Sequence, residues 1–318
     1  MDPQFQFESW YFECRKLNYL MKLRKHRFPT ESLCYNVYEN IKDVVDHTVT
    51  AGEPMWMYES KGLVGDFSWV PLERQQAEYT DPEEVTELLL DMKVPKAALL
   101  WVYRDRLDYA PPDGVLKPDM LHSLYVNGVK ETESGCQFHI HDTFPEYIGW
   151  VEARKVCASM EGMPAELQSV EFLDYRMDRP LFLDRDRLWQ AFTSDIARTQ
   201  NEASAYARLW DGQTNWSELY DDFATACFYH SEIWTFLAGS RYMTKCFLEW
   251  VGYEGEATAL LQNYAHQASI LRSAYMKAML TGKAPGESAY RRMQEIAEAD
   301  EKAFTALKAC SAVGRGTF

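Results

Sequence analysis

Three residues set the chemistry this chain can attempt: Cys34, His122 and Asp142. Nucleophilic cysteine catalysis needs a thiolate, a histidine within hydrogen-bond reach to take and return a proton, and a group that orients the imidazole. Cys34 lies in FPTESLCYNVYENIKDVV, residues 28–45. There Pro29 discourages helix before it and Thr30 and Ser32 can cap one, while Cys34, Val37, Tyr38, Ile41 and Val45 recur at three- and four-residue steps. The spacing predicts a helix with the thiol in its first turn, where unpaired N–H groups and the positive end of the helix dipole favour thiolate. The competing reading is structural, because a cysteine that shares a stripe with four apolar neighbours is commonly core.

The other two residues need strands to position them. Residues 121–129, LHSLYVNGV, put His122 on one face with Leu124 and Val126. Residues 137–142, QFHIHD, put Asp142 on the face of Phe138 and Ile140, with His139 and His141 pointing the other way. The turn KETESGC joins the two runs as a hairpin. A carboxylate on the apolar face of a strand is costly unless paired, and His122 can pair it. His139 and His141 form an HxH pair next to Asp142, but no second ligand cluster accompanies them, so no metal is expected.

Further elements frame this hairpin. The continuous apolar run at 97–103, AALLWVY, reads as a buried strand, and Asp81-Pro82-Glu83-Glu84 opens a helix carried by Val85, Leu88, Leu89 and Met92. LNYLMKLRK near the N-terminus suggests a short helix, and 150–158 suggests another. Beyond Asp184 strand signals stop. Helices are expected near 184–199, 215–238, 240–251, 255–280 and 286–311, separated by Gly212, Gly239, Gly252 and the Gly282–Pro285 stretch. His230 falls on an apolar stripe and reads as core. The boundary is placed in VEFLDYRMDRPLFLD, which gives an α+β domain over 1–178 and a helical domain over 179–318.

Composition narrows the function classes. The chain has 318 residues, 47% of them hydrophobic, and a net charge of −15, which argues against nucleic acid as a partner. Its seven cysteines are scattered without a CxxC pair, so reduced thiols are expected rather than a disulfide framework. The N-terminal segment lacks the order of a signal peptide and no run is long enough to span a membrane, which makes the expected location cytoplasmic. GxGxxG, GxxxxGK[ST] and GxSxG are absent, removing the usual nucleotide and serine-hydrolase signals. One local exception to the acidity is the run from Arg15 to Arg27, which contains Lys22, Arg24, Lys25 and Arg27; it reads either as a solvated face or as a dock for an acidic partner.

These segments carry a resemblance. LHSLYVNGV through FHIHD to GWVEARKV resembles the second half of a papain-like domain of the C39-peptidase type. LLWVYRDRLDYAPP is similar to the strand and tyrosine-proline loop of the butirosin biosynthesis family, and GSRYMTKCFLEW to that family's helical second domain. The resemblance implies a papain-like, C39-like cysteine-protease fold followed by an all-helical C-terminal domain. It further implies an acyltransferase that moves an aminoacyl or peptidyl group from the phosphopantetheine thioester of a carrier protein to an amine. Related amide synthases act in antibiotic and nonribosomal peptide pathways of the closthioamide type. The roles it implies are Cys34 as nucleophile, His122 as general base and acid, and Asp142 as orienting carboxylate. The partners would be an acyl or peptidyl carrier protein and a small amine, with no cofactor beyond the partner's phosphopantetheine. Acidic carriers would dock on Lys22, Arg24, Lys25 and Arg27.

The chain departs from the family pattern at three places. Leu33 stands where the family has histidine, Thr143-Phe144-Pro145 follows the aspartate where it has proline, and Phe28 stands where C39 peptidases have the oxyanion glutamine. Oxyanion donors therefore remain open among the backbone N–H groups around Cys34 and the side chains of Thr30 and Ser32. Two other readings stay open: a C39-like cysteine peptidase using the same residues, and a catalytically silent binding module of a biosynthetic assembly.

Overall fold

In the computed structural model the described residues are 3–63, 70–91, 97–110, 120–143, 146–176, 183–202, 204–214, 220 and 222–313. The chain forms two compact units that alternate along the sequence, one from Met1–Glu13, Glu31–Val64 and Leu183–Phe318, the other from Cys14–Thr30 and Gly65–Phe182. A single cut after residue 178 does not describe this division, because two N-terminal segments join the helical unit. The class is α+β with a helical C-terminal region. No described helix is long and apolar enough to cross a membrane.

The sheet unit is built on six antiparallel strands: β1 (Leu72–Glu78), β2 (Ala97–Tyr103), β3 (Leu121–Thr132), β4 (Gly135–Thr143), β5 (Glu146–Glu152) and β6 (Ser169–Tyr175). Their spatial order is β1-β6-β2-β3-β4-β5. The 97–103 strand and the β3–β4 hairpin lie where the apolar pattern puts them. Two strands lie elsewhere than expected. Trp150 belongs to β5, and only Ala153–Ala158 continues as a helix. The expected inter-domain connection contains β6, a central strand whose Val170 and Leu173 are fully buried.

Alternation along these strands builds the core. Ala98, Leu100 and Val102 of β2, Leu124 and Val126 of β3, and Phe138 and Ile140 of β4 face one way. They pack with Val85 and Leu89 of α3 (Glu84–Leu90) and with Ala153 and Val156 of α4 (Ala153–Ala158). Each fully buried Val, Leu, Ile or Phe side chain there contributes about 1.5–3 kcal/mol of transfer free energy. A helix, α2 (Cys14–Lys25), packs on β3 with smaller contacts to β2 and β6. It begins earlier than the LNYLMKLRK pattern suggests, at the cysteine.

The helical unit contains α1 (Pro3–Tyr11), α5 (Ile41–Val45), α6 (Arg185–Arg198), α7 (Ser204–Thr214), α8 (Phe223–Val251), α9 (Glu256–Thr281) and α10 (Glu287–Val313). Gly252 and Gly282 end α8 and α9 in the left-handed conformation, with φ of 85° and 66°, as the glycine punctuation predicts. Gly212 and Gly239 do not break helices. Gly239 instead admits α1: a Cβ there would lie 2.8 Å from the Phe7 carbonyl oxygen and from Tyr11 Cβ. The unit also holds a fully buried ion pair, Arg241 Nε to Asp300 Oδ1 at 2.7 Å. Tyr38 and Tyr206 donate to the same carboxylate at 2.9 and 2.8 Å.

Candidate active site

The helix expected across residues 34–45 does not form. Thr30–Cys34 is one 3-10 turn, and the α-helix starts only at Ile41, where the Asn40 side chain accepts the N–H of Lys42 at 3.1 Å. Cys34 is 1% exposed and lies in the helical unit. In the sheet unit, which holds His122 and Asp142, a second thiol, Cys14, lies against Ser123, the strand neighbour of His122.

Cys14 is the first residue of α2, and it is partly exposed. First-turn N–H groups have no acceptor within the helix, and the dipole adds positive potential there. Two contacts fix the thiol against β3. Ser123 donates its backbone N–H to Cys14 Sγ at 3.2 Å. One turn further along α2, Asn18 Nδ2 donates to the Ser123 carbonyl at 2.8 Å. Arg15, the next residue, is anchored to β6, with Nη2 at 2.7 Å from Glu171 Oε2, and Tyr19 donates to the same oxygen at 2.8 Å. The beginning of α2 is thereby tied to two strands.

His122 and Asp142 share the core-facing side of β3 and β4, as the alternation predicts. The register pairs Val126 with Ile140, so the extended ladder sets His122 diagonal to Asp142. Both are buried, at 4% and 2% exposure. His122 Nε2 lies 2.9 Å from Oδ1 and 3.0 Å from Oδ2 of Asp142. Burial works against a charge on His122, but Asp142 and the nearby Cys14 side chain outweigh it and push the imidazole up to about 10. Tyr109 donates its hydroxyl to Asp142 Oδ2 at 3.0 Å.

The docking residues divide. Lys22 is 2% exposed, and burial, with Lys25 adding to it, brings its ammonium down to about 8; it is not a surface contact. Arg24, Lys25 and Arg27 are exposed, Arg24 also donating to Thr30 Oγ1 at 2.9 Å. Of the proposed oxyanion donors, Thr30 and Ser32 are both buried, on the turn that carries Cys34.

The remaining histidines do other work. His139 bonds Asn127 and packs on Trp150, with ring centres 4.9 Å apart. Among the described residues, no group of three His, Cys, Asp or Glu side chains is arranged to hold a metal ion. His230 is fully buried and stacks on Tyr275 at 5.2 Å, and burial lowers its imidazole to about 4. No protein-family model matches the chain, and no curated protein matches its sequence.

Cys14, then, is the residue the spacing did not single out. Its signal lay in Leu17, Leu20 and Leu23, a helical stripe that runs back to the cysteine. A thiol at a helix start, an imidazole on the neighbouring strand residue and a carboxylate paired with that imidazole are the groups that nucleophilic cysteine chemistry uses.

Proposed function

We propose that the chain is a cysteine-dependent acyltransferase of papain-like fold, with Cys14 in place of Cys34 as the nucleophile. The observation that carries this reading is the buried His122–Asp142 pair, 2.9 Å apart, with the Cys14 sulfur held on the backbone N–H of Ser123, the next residue along β3. Cys14 thiolate attacks the carbonyl of a phosphopantetheine thioester on a carrier protein. The phosphopantetheine sulfur leaves with the proton of the His122 imidazolium, and an acyl-Cys14 thioester remains. An amine then attacks that carbonyl, His122 takes the amine proton, and collapse releases the amide and restores the thiolate. The thioester supplies the activation, so no nucleotide is consumed.

The donor class rests on the resemblance of the 99–112, 121–142 and 239–250 segments to the butirosin-type family. It is further supported by the exposed Arg24, Lys25 and Arg27, which offer an acidic carrier a basic contact on an otherwise acidic chain. The test is intact-mass analysis after incubation with acyl-loaded carrier protein. Wild type and Cys34→Ala should gain the acyl mass and lose it to an added amine, while Cys14→Ala should gain nothing. An adduct that survives Cys14→Ala, or peptide cleavage without any adduct, overturns the reading.

A further inference from the structure

Asp142 is buried, and an oriented carboxylate in such a place needs its lone pairs occupied. His122 takes one direction. The second partner comes from outside the three residues, from the loop that follows β2.

The geometry points to Tyr109 as a positioning residue of the site, its hydroxyl holding the Asp142 carboxylate in the orientation that keeps His122 aligned with Cys14. This rests on the Cys14–His122–Asp142 reading. The Tyr109 hydroxyl donates to Oδ2 at 3.0 Å, so the carboxylate is held from two sides. Tyr109 is itself fixed. Its ring stacks on Tyr147, centres 4.0 Å apart and planes 11° from parallel. Tyr147 sits directly opposite Asp142 in the β4–β5 register, so the strand pairing that places the carboxylate also places the ring that supports the hydroxyl.

The loop carrying Tyr109 is pinned at neighbouring residues. Leu107 N–H donates to the Arg104 carbonyl at 3.1 Å, Ala110 N–H to Leu107 at 2.9 Å, and Lys155 of α4 reaches Asp108 at 2.6 Å. Burial, reinforced by the adjacent Asp142, holds the Tyr109 phenol well above its ordinary value, so it remains a donor across the working pH range. Among the described residues, the titratable groups around the pair are Cys14 from α2, Tyr109 from the loop after β2, His141 beside Asp142 on β4 and Tyr147 from β5. Without the phenol, Asp142 loses one of the donors that orient it, and His122 is held less firmly beside Cys14.

The test follows the rate of Cys14 alkylation by iodoacetamide from pH 4 to 11, with peptide mass identifying the site. In wild type the pH profile of this rate defines the reactive window of the Cys14–His122 pair. Tyr109→Phe keeps the stacking ring and removes the donor. Its neutral-pH rate should fall about tenfold, the loss expected for one hydrogen bond to a charged group. The window should narrow from both ends, and adding Tyr109→Phe to Asp142→Asn should narrow it no further.

A purely structural role would lower the melting temperature without moving these limbs. A window that is unchanged or widened in Tyr109→Phe, while His122→Ala abolishes it, overturns the role of Tyr109 and leaves the site intact. A profile unmoved by His122→Ala overturns the site itself. Should Tyr109→Phe not fold, Tyr147→Leu keeps the hydroxyl, removes its support and is judged on the same two limbs.

Discussion

Cys14 Sγ accepts the backbone N–H of Ser123 at 3.2 Å, one residue along β3 from His122. Helix start and strand start are thus joined at one sulfur atom.

The two candidate thiols should separate by reactivity. Cys14 is partly exposed at a helix start and Cys34 is 1% exposed. At pH 7 a limiting dose of iodoacetamide should label Cys14 at least ten times faster than Cys34, as access dictates. Peptide mapping after a short pulse decides it; preferential labelling of Cys34 would favour Cys34 as the nucleophile.

Stability should carry the signature of His122. Its folded value, near 10, lies above the ordinary histidine value of about 6.5, so the folded state binds the proton more tightly. The resulting stabilisation is complete below about pH 6.5 and is lost as pH rises through 10. Asp142→Asn should destabilise by roughly 3 kcal/mol near pH 6, as expected for breaking a buried pair, and by much less near pH 10. Urea melts at the two pH values measure the difference; equal losses at both would contradict it.

The helical unit makes an independent prediction. Arg241 and Asp300 are both fully buried, and the carboxylate also accepts from Tyr38 and Tyr206. Asp300→Ala leaves a buried guanidinium without its counter-charge and should cost about 3–5 kcal/mol. Arg241→Met with Asp300→Leu should cost less than the two single losses added, because neither charge is stranded. Thermal unfolding of the singles and the double gives the comparison.

Charge reversal separates surface from core in the basic stretch. Arg24→Glu and Lys25→Glu, at exposed positions, should raise the apparent KM for an acidic carrier at low salt and leave the melting temperature within a degree or two, since isolated surface charges contribute little. Lys22→Glu should instead unfold the protein or lower its stability by several kcal/mol, because that side chain is 2% exposed. Unchanged KM in both surface variants removes the docking surface.

What could be read in the sequence was local. Alternation is a two-residue property, so the face shared by His122, Leu124 and Val126, and that shared by Phe138, Ile140 and Asp142, was visible before any fold was known. Cys14 was hidden because its helix buries polar side chains. Lys16, Asn18 and Lys22 all point inward from α2, which blurs the apolar stripe that Leu17, Leu20 and Leu23 begin. The stripe after Cys34 was clearer but misleading, because Asn40 caps the helix and delays it to Ile41. The central strand β6 was disguised by Glu171, a buried charge whose partner Arg15 lies 156 positions away. Gly239 reads as a helix breaker until α1 is seen to need the gap.

The alternation of the two units along the chain has a consequence for the order in which they can be completed during synthesis. The sheet unit needs nothing beyond residue 182, so it can close while the last helices are still being made. The helical unit draws on both ends of the chain. Its earliest pieces, residues 1–13 and 31–64, emerge well before α8, α9 and α10, which bury them. During that interval Tyr11, Tyr38 and the other apolar groups of those segments wait without their native cover, and that is the stage of translation at which a chaperone would be needed most.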